Sequence, residues 1–184
     1  MDPRVVPFAC VALLICLGYG CIQAFLSTCA AERDLSAAAS LYFLVYGVAT
    51  ILSRPVTGRL FDRRGENVLL VPVFLLTALA LWLLAHAHSG AVLLLSGLIL
   101  GLGFGNFQSI GQAVSLAMVT PSRFAQATTT FFILFDLGIG LGPYVFGFLV
   151  PSMGFSGMYT SLALTTLAAL VAYHFVHARR VRFY

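Results

Sequence analysis

Six long apolar runs, separated by short polar or glycine-containing connections, make up almost the whole chain. They occupy residues 5–28, 37–57, 68–87, 91–118, 124–150 and 155–177. A helix rises about 1.5 Å per residue, so about 20 residues cross the hydrocarbon layer. Each run meets that length, and the breaks carry turn or charge chemistry: Glu32-Arg33-Asp34, Gly58 to Asn67, His88-Ser89-Gly90, Thr120 to Arg123, and Pro151 to Gly154. The pattern predicts an all-α polytopic membrane protein, a single domain of six transmembrane helices over residues 1–184.

Composition supports the same solvent. The chain is 60% hydrophobic and 9% charged, where a soluble domain carries about a quarter charged residues. Charge is also segregated: no Asp, Glu, Lys or Arg stands between Glu66 and Arg123, and only Asp136 between Arg123 and Arg179. Residues 1–31 resemble a signal peptide at Ser27 to Ala31, but the apolar stretch is too long and further spans follow, so a retained first helix is expected. Cys10, Cys16, Cys21 and Cys29 all fall in that first run without a C-x-x-C pair or clustered His. They act as small apolar residues, and neither a metal nor another cofactor is expected.

All ten basic residues are arginine, with a net charge of +4. They sit in connections between apolar runs, which points to membrane orientation and away from nucleic acid. If Arg4 is cytoplasmic, then Arg54, Arg59, Arg63, Arg64, Arg123, Arg179, Arg180 and Arg182 share its side, nine of the ten, and only Arg33 is opposite. Both termini are therefore expected in the cytoplasm, with the chain in the cell membrane.

Polar residues divide the spans into two groups. Spans three and six are almost wholly apolar and suit lipid, whereas spans one, two, four and five carry Tyr19, Gln23, Tyr42, Tyr46, Asn106, Gln108, Gln112, Thr128 to Thr130 and Asp136. Such groups prefer a bundle interior or a wet cavity, so Tyr19, Gln23, Tyr46, Asn106, Gln108 and Gln112 are cavity or substrate candidates. Gly101, Gly105, Gln108 and Gln112 fall on one helical stripe, where the amides reach either a substrate or a neighbouring helix. Asp136 lies about 20 Å into span five at helical rise. A carboxylate at that depth is either a proton-coupling group or a hydrogen-bonded structural residue.

Two motifs carry more specific information. After span two the chain reads Arg54-Pro-Val-Thr-Gly58-Arg-Leu-Phe-Asp62-Arg63-Arg64-Gly65. As charge alone this is a solvated, positive-inside loop. The order Gly58-x-Leu60-x-Asp62-Arg63-x-Gly65 resembles the cytoplasmic loop signature of the major facilitator superfamily, found between the second and third helices of each six-helix half. Glu66 and Asn67 stand where the family continues with two basic residues, a form similar to the copy in the C-terminal half. In span five, Gly138-x-x-x-Gly142-Pro143-x-x-x-Gly147 is similar to the glycine-proline motif of exporters in that superfamily, normally in helix 5 of the N-terminal half, with Phe146 where the motif prefers Gly. The same residues also suit plain helix packing, since Gly138 and Gly142 admit a close neighbour and Pro143 removes a backbone donor.

Gly154-Phe155-Ser156-Gly157 has the look of an intramembrane serine protease motif. His174 and His177 follow on the same helix, and Ser156 to His174 spans about 27 Å of helix, beyond hydrogen-bond reach. An enzyme is not expected. The resemblance implies instead one six-helix half, the C-terminal one, of a secondary active transporter that moves a small solute by alternating access. It further implies proton coupling and efflux, a gating role for Arg54, Gly58, Asp62, Arg63 and Gly65, and a second six-helix half or a homodimer as partner. A truncated half-transporter is the form expected for 184 residues. A membrane partner or assembly subunit that moves no solute is the alternative.

Overall fold

The computed structural model describes residues 1–64 and 67–175, all in helices or short turns, with no strand among them. Helix α1 covers Val6–Glu32, α2 Ser36–Arg64, α3 Asn67–Ala85 and α4 Gly90–Gly103. A 3₁₀ turn at Phe104–Asn106 joins α4 to α5, Phe107–Ala117, and the three together make the fourth span. A second 3₁₀ turn, Pro121–Arg123, leads into α6, Phe124–Gly147, and α7 covers Val150–Tyr173. Among the described residues six spans are long and apolar enough to cross a membrane, which establishes the all-α, six-span fold.

Local chemistry explains the boundaries. Ser89 is extended and its hydroxyl accepts the Val92 N–H at 3.4 Å, capping α4. Thr120 is also extended, and Pro121 then starts the next turn with its φ already near helical. Asp34 takes φ 56° in the tight turn between α1 and α2, a left-handed conformation that Asp tolerates. Gly154 at φ 66°, ψ 179° interrupts α7 in a region essentially restricted to glycine. The apolar pattern ends span two near residue 57, yet α2 continues through Gly58 to Arg64. Hydropathy marks where lipid can end, while Arg and Leu are good helix formers and carry the helix beyond that level.

Glycines set which helices touch. A Cβ on Gly138 would lie 2.5 Å from the Leu13 carbonyl oxygen, one on Gly142 would strike the Leu17 carbonyl, and one on Gly20 the Ile139 carbonyl, so α1 and α6 pack backbone to backbone. The same device joins α4 to α2: a Cβ on Gly97 would stand 3.1 Å from the Tyr42 ring, and one on Gly101 would strike the Tyr46 carbonyl. Span one thus packs on span five as span four packs on span two, while α3 packs against α7. Exchanging spans one to three for spans four to six reproduces the pairing, the signature of an internal repeat.

Burial departs from the polar census in one respect. Although α3 is almost wholly apolar, with Thr77 its one polar residue past Asn67, more than half of its span is covered, and α2 is the least covered span, followed by α6. An all-apolar helix tolerates lipid on any side, but its composition does not say how many neighbours it has. Aromatic rings fill the arginine-bearing half of the core, with Phe8 against Phe131 at 6.2 Å, Phe131 against Phe135 at 5.6 Å and Phe74 against Tyr173 at 5.9 Å.

Each end of the bundle is closed by a polar clasp. At one end Asp2, buried, meets Arg123 at 3.3 Å, while its backbone N–H donates to Thr130 Oγ1 at 2.8 Å. This ties the start of the chain to the start of α6. At the other end Arg33 donates to the carbonyls of Leu84, Ala85 and Ala87 at 2.9–3.1 Å. A guanidinium is well matched to the unsatisfied carbonyls at the C-terminus of α3. Arg33, the one arginine set apart in the sequence, is therefore a helix cap.

Candidate functional site

The fourth span bends where glycine is dense. Gly101, Gly103 and Gly105 precede or occupy the 3₁₀ turn, and a Cβ on Gly105 would overlap the Thr50 hydroxyl of α2. The Thr50 hydroxyl donates to its own helix at the Tyr46 carbonyl, 2.9 Å, and approaches the Gly101 carbonyl at 3.3 Å. This contact brings Asn106 onto Ser53, whose hydroxyl accepts the amide N–H at 2.7 Å and donates to the Thr50 carbonyl at 2.9 Å. Because the Ser53 proton is committed to Thr50, the amide nitrogen of Asn106, not its oxygen, must face Ser53. Beside this turn Tyr19 of α1 stacks on Phe104 with centroids 4.5 Å apart and stands 5.8 Å from Tyr46.

A groove of about 300 Å³ opens next to the Ser53–Asn106 bond, between α2 and α5. Arg54, Thr57, Gly58 and Phe61 form its α2 wall. Asn106, Ser109, Ile110 and Ala113 form the other. Thr57 turns its hydroxyl back to the carbonyls of Ser53 and Arg54, at 3.2 and 3.1 Å, so it offers little to a ligand. Arg54 has no ion pair or side-chain hydrogen bond among the described residues, and Ser109 is exposed.

The sequence candidates separate on this geometry. Arg54, Gly58 and Asn106 line the groove, and Arg54 and Gly58 are helical residues of α2. The side chains of Asp62 and Arg63, and Gly65 altogether, lie outside the described residues. Tyr19 and Tyr46 meet ring to ring, but neither they nor Gln23, Gln108 and Gln112 line the groove. The stripe of Gly101, Gly105, Gln108 and Gln112 is interrupted by the 3₁₀ turn, which breaks the 3.6-residue period. Gly101 and Gly105 face α2, whereas Gln108 is exposed and Gln112 half-buried.

Asp136 is exposed midway along α6 and makes no hydrogen bond or ion pair with any described residue. It does not line the groove. Gly138 and Gly142 form the α1 contact given above, Gly147 faces the Phe25 ring, where a Cβ would stand 3.1 Å away, and Pro143 is half-buried within α6.

Ser53, Ser109 and Phe61 were not picked out by sequence, and neither was the Asp2–Arg123 pair. Ser53 meets Asn106 across 53 positions, a separation that no helical period reports. Ser156 is engaged structurally: its hydroxyl donates to the Ala85 carbonyl at 2.8 Å and accepts from Arg33 at 3.0 Å. Nearby His86 turns Nδ1 to the Trp82 carbonyl at 3.0 Å, so no Ser–His pair forms there.

Two arrangements stand out: a half-bundle whose least covered helices, α2 and α6, each expose a charged side chain, and a polar groove beside a glycine-rich bend. No curated protein matches the sequence. The sequence model of the Major Facilitator Superfamily matches residues 8–182, nearly the whole chain, and the chain belongs to that superfamily of membrane transporters as a single six-helix half.

Proposed function

We propose that the chain is the C-terminal half of a proton-coupled exporter of the cell membrane, working by alternating access against a second six-helix bundle. The carrying observation is Asp136, exposed about 18 Å along α6 from Phe124 at helical rise and without a hydrogen-bond or ion-pair partner among the described residues. A carboxylate facing hydrocarbon costs a few kcal/mol. The face that bears it therefore suits water and a second bundle better than lipid. Bare apolar rows on α2 and α6, including Leu44, Ile51, Leu52, Tyr144 and Val145, supply the packing surface for that bundle. Nine of ten arginines on one side of the chain favour cytoplasmic termini.

In this mechanism Asp136 takes up a proton when the cavity faces one side and releases it toward the other. The glycine-packed pairs α1–α6 and α2–α4 move as rigid units, because each is locked backbone to backbone. The exporter direction is supported by Gly138, Gly142, Pro143 and Gly147 on α6, which resemble the glycine-proline pattern apart from Phe146. The test is reconstitution of the chain with its companion half in liposomes bearing a proton gradient. Solute-dependent proton flux, read with an internal pH dye, is expected and is lost in Asp136→Asn. Equal flux in that variant would remove Asp136 from the coupling step.

A further inference from the structure

The groove between α2 and α5 joins Arg54, which pairs with no described residue, to apolar walls. Arg54 sits about 15 Å short of the α2 end at Arg64 at helical rise, deeper than the rest of the α2 arginines. Among the described residues no carboxylate lies within ion-pair distance of it, and none lines the groove. Arg54 lies about one turn inside the level near residue 57 where the apolar run ends, so its long side chain reaches the membrane interface, where the guanidinium is open to an anion. The neutral groups beside it are donors: Ser109 offers its hydroxyl, and Asn106, having given one amide hydrogen to Ser53, keeps a second. Phe61, Ile110 and Ala113 close the remaining walls with apolar surface. The cavity, about 300 Å³, matches the lower end of small-molecule sites.

From this juxtaposition we infer that the groove binds an amphipathic organic anion. Its carboxylate or phosphate oxygens are received by the Arg54 fork with Asn106 and Ser109, and its apolar body lies against Phe61 and Ile110. Guanidinium is suited to this role because its planar donors meet two oxyanion oxygens at once. The inference rests on the transporter reading in taking the bound anion as the moved solute. The binding site itself stands or falls separately. An anionic lipid headgroup presents the same oxygens, so the source of the anion is part of the test.

The experiment is calorimetric titration of the purified chain, held in phosphatidylcholine nanodiscs, with benzoate and with its neutral isostere benzamide. Benzoate is expected to bind at least about tenfold more tightly than benzamide, and Arg54→Gln to erase that preference, since charge-assisted hydrogen bonds are the strong ones. Arg54→Lys retains part of it. Ser109→Ala, an exposed position where folding is not at stake, weakens benzoate a few-fold and serves if Arg54→Gln fails to fold. Equal affinity for the two probes, or a preference that survives in Arg54→Gln, would overturn the site. Loss of benzoate binding in nanodiscs containing phosphatidylglycerol supports the site and assigns it to a lipid headgroup, whereas unchanged binding supports a soluble anion. Binding requires no proton gradient. Intact binding without proton flux therefore sinks the coupling reading alone, and Asp136-dependent flux without benzoate preference sinks this site alone.

Discussion

Arg33 Nη2 stands 3.0 Å from Ser156 Oγ, and both groups converge on the Ala85 carbonyl at the C-terminus of α3. One guanidinium thus draws together the α1–α2 turn, the end of α3 and the first turn of α7 after the Gly154 break. The hydroxyl that resembles a nucleophile is consumed as a structural bridge.

Arg33→Ala leaves the carbonyls of Leu84, Ala85 and Ala87 without this donor, and the expected loss is about 1–3 kcal/mol of stability. Ser156→Ala removes a neutral bridge and costs about 1 kcal/mol. Because the two share Ala85, the double variant should cost less than the sum of the singles. Thermal unfolding in detergent, followed by Trp82 fluorescence, measures all three. Strict additivity would mean that the side chains act independently.

Neighbouring glycines of α6 should respond in opposite ways. Gly142→Ala places a Cβ on the Leu17 carbonyl, a backbone atom that cannot step aside, and should cost about 1–3 kcal/mol through overpacking. Gly140→Ala meets nothing within 4 Å and should be neutral or stabilising by about 0.5–1 kcal/mol, since alanine suits a helix better than glycine. Melting temperatures of the two variants beside the parent decide it, and equal destabilisation would remove α1–α6 backbone contact as the cause.

The Asp2 clasp predicts a pH dependence with a definite sign. The Arg4 backbone N–H holds the Asp2 carboxyl below its ordinary value, burial opposes this, and Arg123 adds to the lowering. A depressed carboxyl stabilises the fold fully above its unfolded pKa of about 3.9 and loses that contribution as pH falls through the lower folded value. Asp2→Asn should therefore melt below the parent near neutral pH, and the two curves should converge in acid once the pH falls below the lowered folded value. A gap that widened in acid would contradict the pairing with Arg123.

Asp136→Asn should leave folding alone while abolishing solute-driven proton flux. The carboxylate has no described partner in its own bundle, so the stability change should stay within about 0.5 kcal/mol. Chemical denaturation of the isolated chain checks the first half of that statement. A large loss of stability would mean that Asp136 is a structural residue of the half-bundle.

Lipid as solvent demands long apolar helices, so hydropathy along the chain was enough to place six spans, and the Gly154 break and Ser89 cap were legible as turn chemistry. Membership in a transporter superfamily was likewise legible, because Gly58-x-Leu60-x-Asp62-Arg63 and Gly138 to Gly147 are local patterns. The partners of those residues were not. Ser53 finds Asn106, Arg33 finds Ser156, and Asp2 finds Arg123 only after helices distant in sequence come into register. Hydropathy likewise did not separate a covered α3 from a bare α2, since apolar side chains suit lipid and protein alike. Periodicity describes one helix at a time, whereas the groove, the clasps and the buried faces are properties of pairs, and which pairs form depends on where glycine lets two backbones meet.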